Sequence, residues 1–142
     1  MVKYRLQFVA TLLLAAGMVS AGVFHFMSPE PFAGIIPSVL PYHRILVFVS
    51  GFFEIMGGIG LLTPFARKAA SIGLIVLFIA VFPANVNMAI HNVAINGRHF
   101  APWVLWLRLP LQAVLIIWAW WCGQMTRPLS GAQAGIKVAS DE

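Results

Sequence analysis

The stretch Ile45-Leu-Val-Phe-Val-Ser-Gly-Phe-Phe-Glu54-Ile-Met-Gly-Gly-Ile-Gly-Leu-Leu-Thr63 decides the fold. It is apolar throughout apart from one carboxyl and one hydroxyl on each side of it. As a helix rising about 1.5 Å per residue it reaches across a hydrocarbon layer about 30 Å thick. Pro64 and the basic pair Arg67-Lys68 close it. An ionisable group at that depth is costly, so it persists where it is partnered or used.

Three further runs have the same length and character: residues 6–27, 69–91 and 103–125. The first could also be read as a secretory signal, with Lys3 and Arg5 ahead of it and Val19-Ser20-Ala21 as a cleavage site. The stretch is long enough to cross, and three more spans follow, so it is read here as retained. The last run carries tryptophans at both ends: Trp103 and Trp106 at one, Trp118, Trp120 and Trp121 at the other. Trp103 and Trp121 lie about 27 Å apart along a helix, the separation of two interfacial aromatic belts.

Composition agrees. Of 142 residues 61% are hydrophobic and 9% charged, against about a quarter charged in soluble domains. The net charge of +5 comes from basic residues flanking apolar runs. That pattern matches lipid headgroups and topology control, and it excludes a nucleic-acid partner. Placing Lys3, Arg5, Arg67, Lys68, Arg127 and Lys137 in the cytoplasm leaves only Arg44 and Arg98 on the outer side. The expected fold is therefore an all-α, four-helix transmembrane bundle with both termini cytoplasmic. Residues 1–127 form the membrane domain and 128–142 a mobile cytoplasmic tail.

Between the first two spans, Ser28 to Arg44 holds Pro29, Pro31, Pro37 and Pro41 among apolar residues. Proline prevents a regular helix there, and the segment is too apolar for free solvent. It reads as an outer cap with one short helical turn.

The polar groups gather beneath that cap. Glu54 lies about 13 Å in from the outer end of its span, Gln112 at similar depth, and Arg108 about half as deep. Asn85, Asn87 and His91 end the third span and His25 ends the first. The inner half offers only Thr63, Ser71 and Cys122. Glu54 and Arg108, of opposite sign in an acid-poor chain, are expected to face each other. Such a pair also has a purely structural reading, as a buried ion pair fixing helix register. Ser50, Gly51, Glu54, Gly57 and Gly58 share one helical face, as do Gly17, Ala21 and His25. Small residues there permit close helix approach or leave room for a ligand. Pro83 removes the donor for the Ile79 carbonyl and predicts a kink.

Catalytic chemistry has little support. The single Cys122 excludes an internal disulfide and a CxxC exchange pair, and His25, His43, His91 and His99 show no metal-ligand spacing. No nucleophile–base arrangement and no redox-cofactor motif is present, so no residue is assigned as catalytic and no metal is expected.

Gly22-Val-Phe-His25-Phe with Pro29, the segment Val49 to Leu62, Phe82-Pro83-Ala-Asn85-Val-Asn87-Met and Leu107-Arg108-Leu-Pro110-Leu-Gln112 together resemble the DoxX family of small bacterial membrane proteins. The likeness runs from about Leu6 to Gly123. It implies a four-span protein of the bacterial inner membrane, linked by family name to a thiosulfate:quinone oxidoreductase. The positions carried over are His25, Glu54, Asn85, Asn87, Arg108 and Gln112. Three functions follow in order. The first is an accessory membrane protein binding a quinone or other lipophilic molecule through Glu54, Arg108, Gln112, His25, Asn87, Asn85 and His91. The second is a scaffold that recruits a redox-enzyme subunit without a ligand of its own. The third is an enzyme moving protons through Glu54 and His25.

Overall fold

Long apolar runs separated by short breaks leave each backbone no hydrogen-bond partner but its own turn, so helices result. The structure, a computed structural model, describes residues 2–95 and 97–125. The tail expected to be mobile, together with Arg127 and Lys137, lies outside the described residues. Among the described residues there are five helices: α1 (Val2–Met27), α2 (Pro29–Ala33), α3 (His43–Leu62), α4 (Arg67–His91) and α5 (Pro102–Gly123). The four long ones are each long and apolar enough to cross a membrane. Their outer faces expose Leu12, Leu13, Phe52, Phe53, Val76 and Ile117, a surface that only lipid would cover at low cost. The chain is an integral, multi-pass membrane protein.

The four long helices form a ring in which α1 packs on α3, α3 on α4, α4 on α5 and α5 back on α1. Glycines set how closely they approach. A Cβ added at Gly22 would stand 2.5 Å from the Gly51 carbonyl oxygen, and one at Gly58 would stand 2.8 Å from that of Ala15. These contacts clamp α1 to α3 backbone against backbone, as small residues allow in membranes. On the other side of α3, Gly57 and Gly60 lie against Leu74 and Ala70 of α4. Gly17 has nothing within 4 Å of where its Cβ would be, so of the stripe expected on α1 (Gly17, Ala21 and His25) Gly17 makes no close approach, and the close contact falls on Gly22, outside that stripe. The central core is Leu14, Leu61, Leu74, Phe78 and Ala119. A smaller cluster of Ile35, Met88, Ala89 and Leu105 joins the cap to α4 and α5.

The termini end is more polar than the sequence reading allowed. Gln7, Thr11, Arg67 and Ser71 are all buried. Gln7 Nε2 donates to the Trp121 carbonyl at 2.7 Å, and Ser71 Oγ to that of Ala119 at 2.7 Å. Arg67 was expected to be a topology-setting surface charge. Instead its Nε donates to the Leu61 carbonyl at 2.8 Å and its Nη1 to that of Met125 at 3.1 Å. The reason is the tight turn at residues 63–66, which tucks the guanidinium under the C-terminal ends of α3 and α5. Carbonyls there lack intrahelical donors and carry the negative end of the helix dipole. Trp118 also departs from its expected role as an interfacial anchor. It packs against the core, with Nε1 buried and without a hydrogen-bond partner among the described residues, whereas Trp103, Trp106 and Trp120 stay exposed.

At the opposite end the Pro-rich segment folds over the bundle as a cap, with α2 as its short helical turn. Asn87 Nδ2 donates to the Ile35 carbonyl at 2.9 Å, and a ring nitrogen of His43 lies 3.1 Å from the Pro37 carbonyl. These bonds and the burial of Ile35 tie the cap to α4 and α3. The hairpin-like loop between α4 and α5 turns at Gly97, whose φ of +75° side chains rarely adopt, and Ile95 and Arg98 exchange both backbone bonds across it.

Candidate functional site

Beneath the cap the bundle encloses a cavity of about 550 Å³. Its position follows from the glycines. Gly57 and Gly60 hold α3 against α4 in the middle and lower part of the bundle, and nothing so small continues that contact above Ser50. The walls are mostly aliphatic and aromatic, and the polar groups on them are His25, Ser50, Glu54, Asn85, Arg108 and Gln112. Five of the seven residues singled out in the sequence therefore meet in one space, contributed by α1, α3, α4 and α5.

The remaining two do not line it. Asn87 faces the cap and spends its amide on Ile35. His91 is exposed, with Nδ1 3.1 Å from the Asn87 carbonyl one turn earlier. Their i,i+4 relation holds, but their face turns away from the cavity toward the loops.

Glu54 and Arg108 line the same cavity, yet the pair expected between them does not form among the described residues. The ionisable partner of Glu54 is His25, with Nδ1 3.2 Å from Oε2 and each side chain 12% exposed. α1 and α3 run antiparallel and approach so closely that His25 packs directly on Gly51, where an added Cβ would stand 2.7 Å from the His25 Cβ; Glu54 is one turn along α3 from Gly51, within reach of the imidazole. Arg108 lies on the α5 face that carries buried Leu105, Gln112 and Ala119. Its Nη1 donates to Met88 Sδ at 3.3 Å.

The hydrogen bonds around the carboxyl leave it without a donor. His25 Nδ1 is 2.8 Å from the Ala21 carbonyl. A carbonyl can only accept, so Nδ1 carries the proton and directs it there. Glu54 Oε2 is consequently buried with no hydrogen-bond partner among the described residues. The Phe32 ring stacks on His25 with centroids 4.0 Å apart and planes 20° from parallel, which fixes the imidazole and brings the cap over the dyad. Asn85 Nδ2 donates to Gln112 Oε1 at 2.9 Å, and Gln112 Nε2 donates to the Phe78 carbonyl. Phe78 precedes Ile79, whose carbonyl loses its usual donor to Pro83. The two amides thus brace α4 against α5 at the proline, through which α4 runs on without a break.

The arrangement can hold an apolar body and bind one polar end. No group of three or more His, Cys, Asp or Glu side chains able to hold a metal occurs among the described residues. Sequence reading missed the His25–Glu54 contact and the buried termini-end cluster. For the former the only signal was Gly51, a residue small enough to admit His25 one turn from Glu54. For Arg67 the sequence carried none.

The sequence model of a family described as "Domain of unknown function (DUF8561)" matches residues 14–123, a stretch that spans every cavity-lining polar residue. No curated protein and no solved structure matches the chain.

Proposed function

We propose that this chain, which belongs to the DUF8561 family, is a membrane protein that binds a small lipophilic molecule beneath its cap. The molecule is of the quinone or phenol kind. The observation that carries this reading is the cavity itself, apolar over most of its wall and polar only where His25, Ser50, Glu54, Asn85, Arg108 and Gln112 line it. Few precisely placed polar groups in a largely apolar concavity is the usual make-up of a small-molecule site. A cavity of about 550 Å³ falls within the range of about 300–1,000 Å³ such sites occupy. A purely structural ion pair has no need of that space.

In this reading the chain works in a bacterial inner membrane as an accessory to redox or stress metabolism, as the likeness to DoxX proteins implies. Glu54 and Arg108 orient the polar end of the ligand, and Asn85 and Gln112 hold the wall on which Arg108 stands.

Native mass spectrometry of the protein released gently in its own lipids tests this. The wild type is expected to retain a small molecule that Glu54→Gln loses while remaining equally abundant. A wild type that carries nothing but bulk phospholipid would overturn the proposal. Loss of the folded protein in Glu54→Gln, with the same molecule retained by whatever remains, would assign Glu54 to structure instead.

A further inference from the structure

Taken together, the hydrogen bonds around the cavity specify what the occupant must bring. Ser50 Oγ is spent on the Val47 carbonyl at 2.9 Å, His25 Nδ1 on Ala21, Asn85 Nδ2 on Gln112 and Gln112 Nε2 on Phe78. Each of these donors serves the protein, and none reaches Glu54. The carboxyl stands in the cavity as an acceptor without a donor. Arg108, an exposed side chain, is the reverse: among the described residues its one hydrogen bond is to a thioether, a weak acceptor, and no oxygen takes its remaining N–H groups.

We infer that the ligand is an uncharged, lipid-soluble hydroxyl compound, a phenol or long-chain alcohol, whose O–H donates to Glu54. This rests on the cavity being a binding site and narrows the class of molecule it takes. A hydroxyl group both donates and accepts, so it suits a wall that offers Glu54 as an acceptor and Arg108 as a donor. A quinone or an ether can only accept, and would leave an ionised Glu54 carboxylate unpaired. A lipophilic amine would satisfy Glu54 but meet Arg108, a cation on the same cavity wall, and an organic anion would meet Glu54. Opposite charges on one cavity favour a ligand that carries none.

The mouth agrees with a tailed molecule. Leu46 and Val49 on α3 are exposed lining residues, and so is Ala80 on α4. Pro83 on α4 and Arg108 and Leu111 on α5 are exposed lining residues as well, so the cavity opens toward the apolar outer surface of the bundle, where Ile79 and Leu111 are exposed. A chain leaving there enters hydrocarbon, so the hydroxyl can sit inside while the tail remains in lipid.

The test uses delipidated full-length protein in nanodiscs and three probes with one tail: 4-dodecylphenol, its methyl ether and 4-dodecylbenzylamine, each titrated by calorimetry. The phenol is expected to bind at least about tenfold tighter than the ether, the effect of one hydrogen bond to a charged acceptor. In Glu54→Met that preference is expected to fall to about one, while His91→Ala keeps it. Equal affinity of phenol and ether for the wild type would overturn the inference and leave the binding site standing. Tighter binding of the amine would overturn it in favour of a cation. Failure of all three to bind, with no endogenous molecule retained, would remove the binding reading along with it. Because the decisive comparison is made on the wild type, poor folding of Glu54→Met does not shield the inference.

Discussion

Arg67 shows what a single side chain does in this protein. Its guanidinium spans the end of α3 and the residue after α5, replacing donors that both helix ends lack. Arg67→Met would leave the Leu61 and Met125 carbonyls unpaired in a buried setting. Each such loss costs about 1–3 kcal/mol, so the variant is expected to lose about 2–5 kcal/mol, measured by denaturant unfolding in detergent micelles. Arg67→Lys keeps the charge but has no planar fork with which to reach two acceptors at once, and should recover about half of that loss. An unchanged midpoint in Arg67→Met would show that water or lipid headgroups replace the guanidinium. The exposed pair Arg44–Glu30 at 3.6 Å is a useful contrast. Both side chains are solvated, and removing either should change stability by less than about 1 kcal/mol.

At the level of helices, the contacts of α3 divide its length into a clamped part and a parted one. Gly22 against Gly51 and Gly58 against Ala15 fasten it to α1, while Gly57 and Gly60 fasten it to α4 only below the cavity. Gly22→Ala is expected to disrupt the bundle, because its Cβ would sit 2.5 Å from the Gly51 oxygen and 2.6 Å from Ile55 Cγ1. One of these contacts is backbone and cannot rotate away. Gly17→Ala on the same helix meets nothing within 4 Å and should leave stability unchanged or raise it by up to about 1 kcal/mol, through helix propensity. Thermal unfolding of the two variants side by side checks the pair, and similar losses in both would show that the α1–α3 approach is not rigid. The cap is held separately. Removing the Asn87 amide in Asn87→Ala is expected to speed backbone hydrogen exchange across residues 29–40 without altering exchange in the core of α1 or α3. Protection unchanged across the cap would mean that the buried Ile35 holds it alone.

For the whole molecule, four crossings would put both ends on one side of the membrane, and the positive-inside tendency of the basic residues predicts that this side is the cytoplasm. Reporter fusions at each terminus and in the loop that follows α4 are expected to read cytoplasmic, cytoplasmic and external. Reversing the signs at Lys3, Arg5 and Lys68 together should lower that asymmetry. Arg67 is best left in place, since its charge is committed to the bundle interior. An external reading at one terminus alone would mean that one of the four apolar helices does not cross.

How far the sequence could be read follows from the kind of information each feature needs. Span number, the helical class, the short turn within the Pro-rich cap and the end of the bundle that holds the polar residues all follow from apolar run length and rise per residue. These are properties of one segment at a time. The convergence of His25, Glu54, Asn85, Arg108 and Gln112 was visible as common depth, because depth too is counted along a single helix. Which of them touch depends instead on the rotation of each helix about its axis and on how closely its neighbour approaches. That was settled by the glycine contacts between α1 and α3, which gave Glu54 to His25 and left Arg108 to Met88. The same limit hid the termini-end cluster. Arg67 reads as a flanking charge in one dimension, and only the fold of the 63–66 turn turns it inward, toward carbonyls from two other parts of the chain.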